Sequence, residues 1–259
     1  MNTRNLISTL LAVFIVLSAL MPALADDEGA QAYAPTTLSA YAGYNSDYIW
    51  SLGGHSSEGS SRAGAAITAP LNRQGSVWLQ ARFDAMYGDG PFGKENDVTL
   101  AFWGNLPKGQ VVGGAVLWYD LAPTGSSRVG DMVEVALFYK CPFESSVGTL
   151  VAEVGTRVFY VVDFPVSGTD GVVPYVGVSG AWPVSSRLTG SWNQLVGYDS
   201  GVYLADRGLM ALGDGKMTYQ LSDSDQLYLN CRFWAPLSGI DDRVSKAEIG
   251  IGYEHAFTF

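Results

Sequence analysis

The segment Lys246-Ala-Glu-Ile-Gly-Ile-Gly-Tyr-Glu-His-Ala-Phe-Thr-Phe259 alternates almost without error. Ala247, Ile249, Ile251, Tyr253, His255, Phe257 and Phe259 fall on one face, and Lys246, Glu248, Gly250, Gly252, Glu254, Ala256 and Thr258 on the other. Successive side chains of an extended chain point in opposite directions, so a strict period of two marks a strand with one apolar and one polar side. A strand of this kind that ends in an aromatic residue has the form of the closing strand of an outer-membrane β-barrel.

The other end of the chain agrees. Arg4 precedes an apolar run from Leu6 to Met21, followed by Pro22 and Ala23-Leu24-Ala25. This is the pattern of a secretory signal peptide cut after Ala25, too short and wrongly flanked for a spanning helix. The expected organisation is a signal peptide at 1–25, a short periplasmic segment at 26–36 and a barrel over 37–259. No later stretch approaches about 18 uninterrupted apolar residues. The formal charge is −10, and losing Arg4 makes it one unit more acidic. That balance argues against nucleic acid or an anionic bilayer surface as partner. Outer-membrane lipid is the expected surroundings.

Strand-like segments recur from residue 37 onward, over 37–50, 61–71, 76–88, 96–104, 111–122, 131–142, 148–162, 172–184, 187–196, 201–221, 226–237 and 246–259. Twelve is an even number, as an antiparallel bacterial barrel requires. The fifth segment is apolar on both phases, and the tenth carries Gly213-Asp214-Gly215, which reads as a bulge or a hairpin, so counts of ten to fourteen stay open. Short turns at 72–75, 105–110, 143–147, 185–186 and 222–225 alternate with longer polar loops at 51–60, 89–95, 123–130, 163–171 and 238–245. That is the asymmetry of periplasmic turns and outer loops. A soluble two-sheet sandwich would give the same local alternation. The barrel is favoured because each strand offers a single apolar face and aromatics gather at strand ends.

Parity also sorts inside from outside. In the third segment Val77, Leu79, Ala81, Phe83, Ala85 and Tyr87 oppose Trp78, Gln80, Arg82, Asp84 and Met86. Carried along the chain, this rule turns Asp47, Arg82, Asp84, Glu134, Lys140, Glu153, Arg157, Arg232 and Glu248 toward the lumen. Fully paired, such charges would plug a narrow barrel; around a surviving water column they would line a selective channel. Cys141 and Cys231 fall in phase with outward apolar neighbours on distant strands, too far apart for a bridge.

Gly43-Tyr-Asn-Ser-Asp-Tyr-Ile-Trp-Ser-Leu-Gly53 resembles the first-strand signature of an uncharacterised proteobacterial outer-membrane family, sometimes called TorF-like. Ser46, Asp47, Tyr48, Trp50 and Gly53 match it; the family's arginine is absent, with Ser51 near its place. Gly197-Tyr198-Asp199 followed by Gly201-Val202-Tyr203-Leu204 is a second echo. The resemblance implies a barrel of this size and supplies no activity. Tyr253, Phe257 and Phe259 likewise resemble the carboxy-terminal signal read by the barrel-assembly machinery, the one protein partner expected.

Catalytic constellations are poor. His55 lies beside Ser56 and Ser57, but parity assembles no Ser/His/acid triad around it. Gly177-Val-Ser-Gly-Ala181 lacks the final glycine of a nucleophile elbow, and Gly213-Asp-Gly-Lys216 lacks the upstream glycine of a phosphate loop. The expectation is no enzyme, no metal, no cofactor and no particular oligomeric state. A small pore for ions or small solutes leads. A closed structural or adhesive barrel binding through its outer loops is second, and a soluble periplasmic β-protein third.

Overall fold

The computed structural model describes residues 34–49, 55–72, 74–89, 94–120, 131–161, 170–202, 206–240 and 244–259. The proposed leader at 1–25, most of 26–36 and most of the outer connections lie outside these residues.

Extended segments carry unpaired backbone groups along both edges, and joining edge to edge until no edge is left satisfies them all. The chain does so with twelve strands: β1 (Thr37–Ile49), β2 (His55–Pro70), β3 (Val77–Asp89), β4 (Lys94–Asn105), β5 (Val111–Asp120), β6 (Met132–Ser145), β7 (Gly148–Val161), β8 (Gly171–Pro183), β9 (Leu188–Asp199), β10 (Gly208–Gln220), β11 (Asp225–Ser238) and β12 (Lys246–Thr258). Each pairs with its sequence neighbour, and β12 returns to β1, giving a closed antiparallel barrel. The closing seam runs from Thr37↔Thr258 to Asn45↔Gly250. Closure satisfies every ladder group without water, which is what a lipid core demands of a spanning sheet.

The outer wall is greasy. Phe83, Val98, Leu100, Val176, Leu229, Ile249 and Ile251 all stand exposed. Tyr44, Tyr87, Trp118 and Tyr198 border this belt toward one rim, and Trp182, Tyr219, Tyr253 and Phe257 toward the other. A soluble protein would not leave so continuous an apolar surface in water, whereas an apolar band between aromatic girdles is the lipid-facing surface of a spanning barrel.

Short turns mark the periplasmic rim. Asn72 ties one of them: its Oδ1 accepts from the Ser76 and Val77 amides at 2.9 and 3.2 Å, and its Nδ2 donates to Ser76 Oγ at 2.6 Å. Gly75 supplies the positive φ of +64° that this turn needs. Thr37 and Thr258 lie at the same rim.

Four boundaries differ from the sequence expectation by three residues or more. β2 starts at His55 rather than 61, because its backbone continues to pair with β1 through Asp47↔Glu58 and Tyr48↔Ser57; so polar a stretch carries no alternation to read. β6 runs to Ser145, leaving only Ser146 and Val147 to turn. β9 extends to Asp199 and β10 begins at Gly208, not 201. There Asp199 Oδ1 accepts from the amides of Gly201 and Val202 at 2.9 and 3.0 Å, a local turn that ends the strand. Gly213-Asp214-Gly215 holds an unbroken ladder on both sides, so the count is twelve. Cys141 and Cys231 are free thiols on β6 and β11.

Candidate functional site: the lumen

The inward face is built on glycine seats. The ring of Tyr41 lies over Gly64, Phe138 over Gly113, Tyr175 over Gly155 and Tyr228 over Gly252, each where an added Cβ would collide with the ring. Each ring is thus laid against the backbone of the neighbouring strand. The cations then lie on the rings: Arg62 and Arg82 at 5.7 and 5.1 Å from the Tyr41 centroid, Lys140 at 5.1 Å from Phe138, Arg157 at 5.5 Å from Tyr175 and Lys216 at 4.6 Å from Tyr228. Stacking of this kind holds long side chains in one orientation.

Each cation also meets an acid. Asp84 takes two guanidinium groups, Arg62 Nη2 at 2.8 Å and Arg82 Nε at 2.6 Å, while Arg82 Nη2 donates to Tyr41 Oη at 2.8 Å. On the next side of the barrel, Tyr119 Oη donates to Glu134 Oε2 at 2.6 Å, and Arg157 Nε lies 3.6 Å from Glu134 Oε1. Tyr175 Oη donates to Glu153 Oε1 at 2.7 Å, and Lys140 Nζ is 3.3 Å from Glu153 Oε2. Around the seam side, Arg232 Nε donates to Asp214 Oδ1 at 2.6 Å, and Lys216 lies 3.9 Å from Glu254. Such pairing is what lets charges reside inside a low-dielectric wall.

Space remains between these groups. One cavity of about 420 Å³ and a second of about 350 Å³ share Arg62, Gln80, Arg82, Asp214 and Arg232 in their walls. Together they are lined by six basic side chains (Arg62, Arg82, Lys140, Arg157, Lys216, Arg232) and seven acidic ones (Asp84, Glu95, Asp97, Glu134, Glu153, Asp214, Glu254).

Toward the outer rim the same inward parity turns apolar on one side. Phe159 and Trp234 are fully buried there with Met132, Val173, Leu195, Met210 and Leu212. Val202 and Ile240, from the connections after β9 and β11, fold into the same cluster. This inner apolar core departs from the expectation of one apolar face per strand. Inward positions on β6 to β11 there pack on one another as a close-packed apolar cluster instead of facing open space.

Of the expected lumen residues, Arg82, Asp84, Glu134, Lys140, Glu153, Arg157 and Arg232 line the larger cavity. Glu248 is buried opposite Arg232 in the β11–β12 register. Asp47 sits on β1, but its side chain lies outside the described residues, as does that of His55. Tyr253 and Phe257 point outward, and Phe259 exchanges backbone hydrogen bonds with Thr36 at 3.2 and 2.9 Å. Tyr253 also donates to Asp225, which His255 Nδ1 meets at 2.7 Å.

Sequence reasoning missed Arg62, Glu95, Asp97, Asp214 and Lys216, with Glu95 falling in the stretch read as the 89–95 loop. Arg62 sits on a strand whose two faces are both small residues, Arg62-Ala-Gly-Ala-Ala66, so parity had nothing to grip. Asp214 and Lys216 were hidden by reading their glycines as a break. Asp97 was legible, since Val98, Leu100 and Phe102 alternate against it. Among the described residues no cluster of three or more His, Cys, Asp or Glu side chains is arranged to hold a metal ion.

A closed twelve-stranded sheet, greasy outside and charged within, defines an outer-membrane β-barrel protein. No protein-family model matches the sequence, and no curated protein is similar to it in sequence. Solved structures do share the fold. An outer-membrane channel from Pseudomonas putida F1 is 13% identical, with 89% of this chain and 98% of that chain covered and a TM-score of 0.53. NanC porin is 13% identical over 84% of this chain and 98% of its own, with a TM-score of 0.52. The translocator domain of the autotransporter NalP from Neisseria meningitidis is 10% identical over 93% of each chain, with a TM-score of 0.53. At such identities the likeness is one of fold.

Proposed function

We propose that this protein is a passive pore for ions or small hydrophilic solutes in the bacterial outer membrane, and not an enzyme. The observation that carries the reading is the pair of cavities sharing five wall residues inside a charged bore. Rings seated on glycines lie against the wall of that bore, and stacked cations give it a fixed internal charge pattern. Two of the barrels that share the fold are a channel and a porin, which supports the same office here. The test is a planar bilayer. Folded protein, recognised by faster gel migration before boiling than after, is expected to produce discrete conductance steps. A folded sample that never conducts overturns the proposal.

The apolar cluster around Phe159 and Trp234 favours a second reading, a closed barrel that binds through its outer loops. In that case the bilayer stays silent, and deleting an outer loop abolishes binding while the barrel still folds. Both readings share one biogenesis. The chain is exported by a leader cut after Ala25 and handed to the assembly machinery through Tyr253, Phe257 and Phe259. Membership of the TorF-like family, on Ser46, Asp47 and Tyr48, belongs to the same proposal.

A further inference from the structure

The lumen is close to balanced in formal charge, yet its two signs are not equally placed. Among the described residues, the buried charged side chains are all acids: Asp84, Glu95, Asp97, Asp131, Glu134, Asp199 and Glu248. The ion pairs show the same order. The side chains of Arg62 and Arg82 are 30% and 35% exposed against 5% for Asp84, Lys140 39% against 13% for Glu153, and Arg157 24% against 3% for Glu134. Lys216 and Glu254 keep this order, and Asp214 beside Arg232 reverses it.

The reason is reach. Carboxylates on short arms stay at the sheet, whereas long arginine and lysine arms extend past them, braced on tyrosine and phenylalanine rings, and bring their charge to the water.

We infer that the pore prefers anions, and that the selecting chamber is the smaller cavity between β1–β3 and β10–β12, suited to small inorganic anions and carboxylates. Arg62, Arg82, Lys216 and Arg232 line it against two acids, Asp214 and Glu254. The shared partner of Arg62 and Arg82, Asp84, lies behind them in the larger cavity's wall. Within ion-pair distance one carboxylate serves two guanidinium groups, with Asp97 and Glu254 as the more distant acids. The amides of Asn45 and Asn230 offer further donors to a passing anion. A hydrated ion interacts most strongly with the charges it can approach, because screening and solvent weaken those set further back. Selection by formal charge, with one acid in excess over the two cavities, would favour cations instead, so the two principles predict opposite signs.

The inference rests on the pore reading, and the reversal potential under a tenfold KCl gradient separates the two. Chloride is expected to be roughly 5 times as permeable as potassium, the factor that one unit charge at about 4 Å in water gives. The double variant Arg82→Gln/Lys216→Gln should bring that ratio to one or below, and Arg82→Lys/Lys216→Arg should keep it. Arg62 still pairs with Asp84 when Arg82 is gone, so the wall keeps its buried acid compensated. Where the pair lowers folding yield, Lys216→Gln alone must lower the ratio. A conducting wild type with no preference, or with preference for potassium, overturns the inference and leaves the pore. So does a variant whose conductance changes while its permeability ratio does not. Folded protein that never conducts overturns both.

Discussion

The outer end of the lumen on the β6–β11 side and the charged belt below it use the same strands and the same inward parity, with opposite chemistry. Leu195 and Leu212 face each other across β9 and β10 in the apolar cluster, and one step toward the periplasm Asn193 faces Asp214 in the charged wall. The outer cluster is a small protein core, closed by hydrocarbon and held by packing. The belt is held by stacked cations and by carboxylates that must be paired to reside where they do. A barrel's two faces therefore do not correspond to one wet and one dry side; the inside has a dry part of its own.

That comparison is broken most forcefully at Trp234, whose ring is fully buried and whose Nε1 reaches Met210 Sδ at 3.3 Å. Trp234→Ala is expected to lower the unfolding free energy by about 3–5 kcal/mol, as large-to-small changes in packed cores do. Denaturant titration in detergent reads the loss. On the pore reading the same variant should raise single-channel conductance, because Trp234 and its cluster occupy inward positions of the lumen. An unchanged conductance would place the constriction elsewhere.

The difference between outside and inside is sharpened at one level of the wall. Ile251 and Asn230 lie one residue apart in the β11–β12 ladder, Ile251 60% exposed on the outer face and Asn230 in the cavity wall. Ile251→Arg is expected to cost about 2–4 kcal/mol for a charge placed in lipid near mid-depth. Asn230→Arg should stay within about 0.5 kcal/mol in the same measurement. Equal costs would mean that the outer belt is not facing lipid.

Much of this architecture is legible in the chain because a period of two is a geometric statement about which face a side chain takes. Phe83 against Arg82, Leu229 against Arg232 and Ile251 against Glu254 separate cleanly, and from such pairs follow a barrel of about twelve strands, with ten to fourteen left open, and its charged inner wall. What parity does not encode is depth. Met132 and Lys140 share a strand and a face, yet one packs under Phe159 and the other stacks on Phe138 beside open space. Nor does it encode cross-strand partnership. Gly64 and Tyr41 are unremarkable in their own strands, and only the β1–β2 register makes one the seat of the other. Strand ends were least readable where polar pairing continues without an apolar face, as in β2, or where a side-chain turn intervenes, as at Asp199.

The glycine seats give the next prediction. Gly252→Ala would drive a methyl into the Tyr228 ring and against the Ala42 carbonyl oxygen, 2.7 Å from the new Cβ. The expected cost is about 1–3 kcal/mol of overpacking, and conductance should fall as Tyr228 tips toward the axis. Stability lost without a fall in conductance would show that the ring moves along the wall instead.

The smallest effects test how the belt's two ion pairs differ. Removing Arg157 leaves Glu134, 3% exposed in its side chain, with only the Tyr119 hydroxyl as described partner, an acid left largely uncompensated inside the wall. Arg157→Gln is therefore expected to cost about 1–3 kcal/mol, the range for stranding a buried polar group. Lys140 is 39% exposed, its partner Glu153 keeps the Tyr175 hydroxyl, and water reaches the pair. Lys140→Gln should cost only about 0.2–1 kcal/mol, as solvent-exposed pairs do. Neither side chain lines the smaller cavity to which the selection is assigned, so both variants should leave the chloride preference nearly unchanged while differing in stability. If the two lose stability equally, depth in the wall does not set what an ion pair contributes. If only Arg157→Gln changes the permeability ratio, the ions pass closer to β7 than to the Lys140 arm on β6.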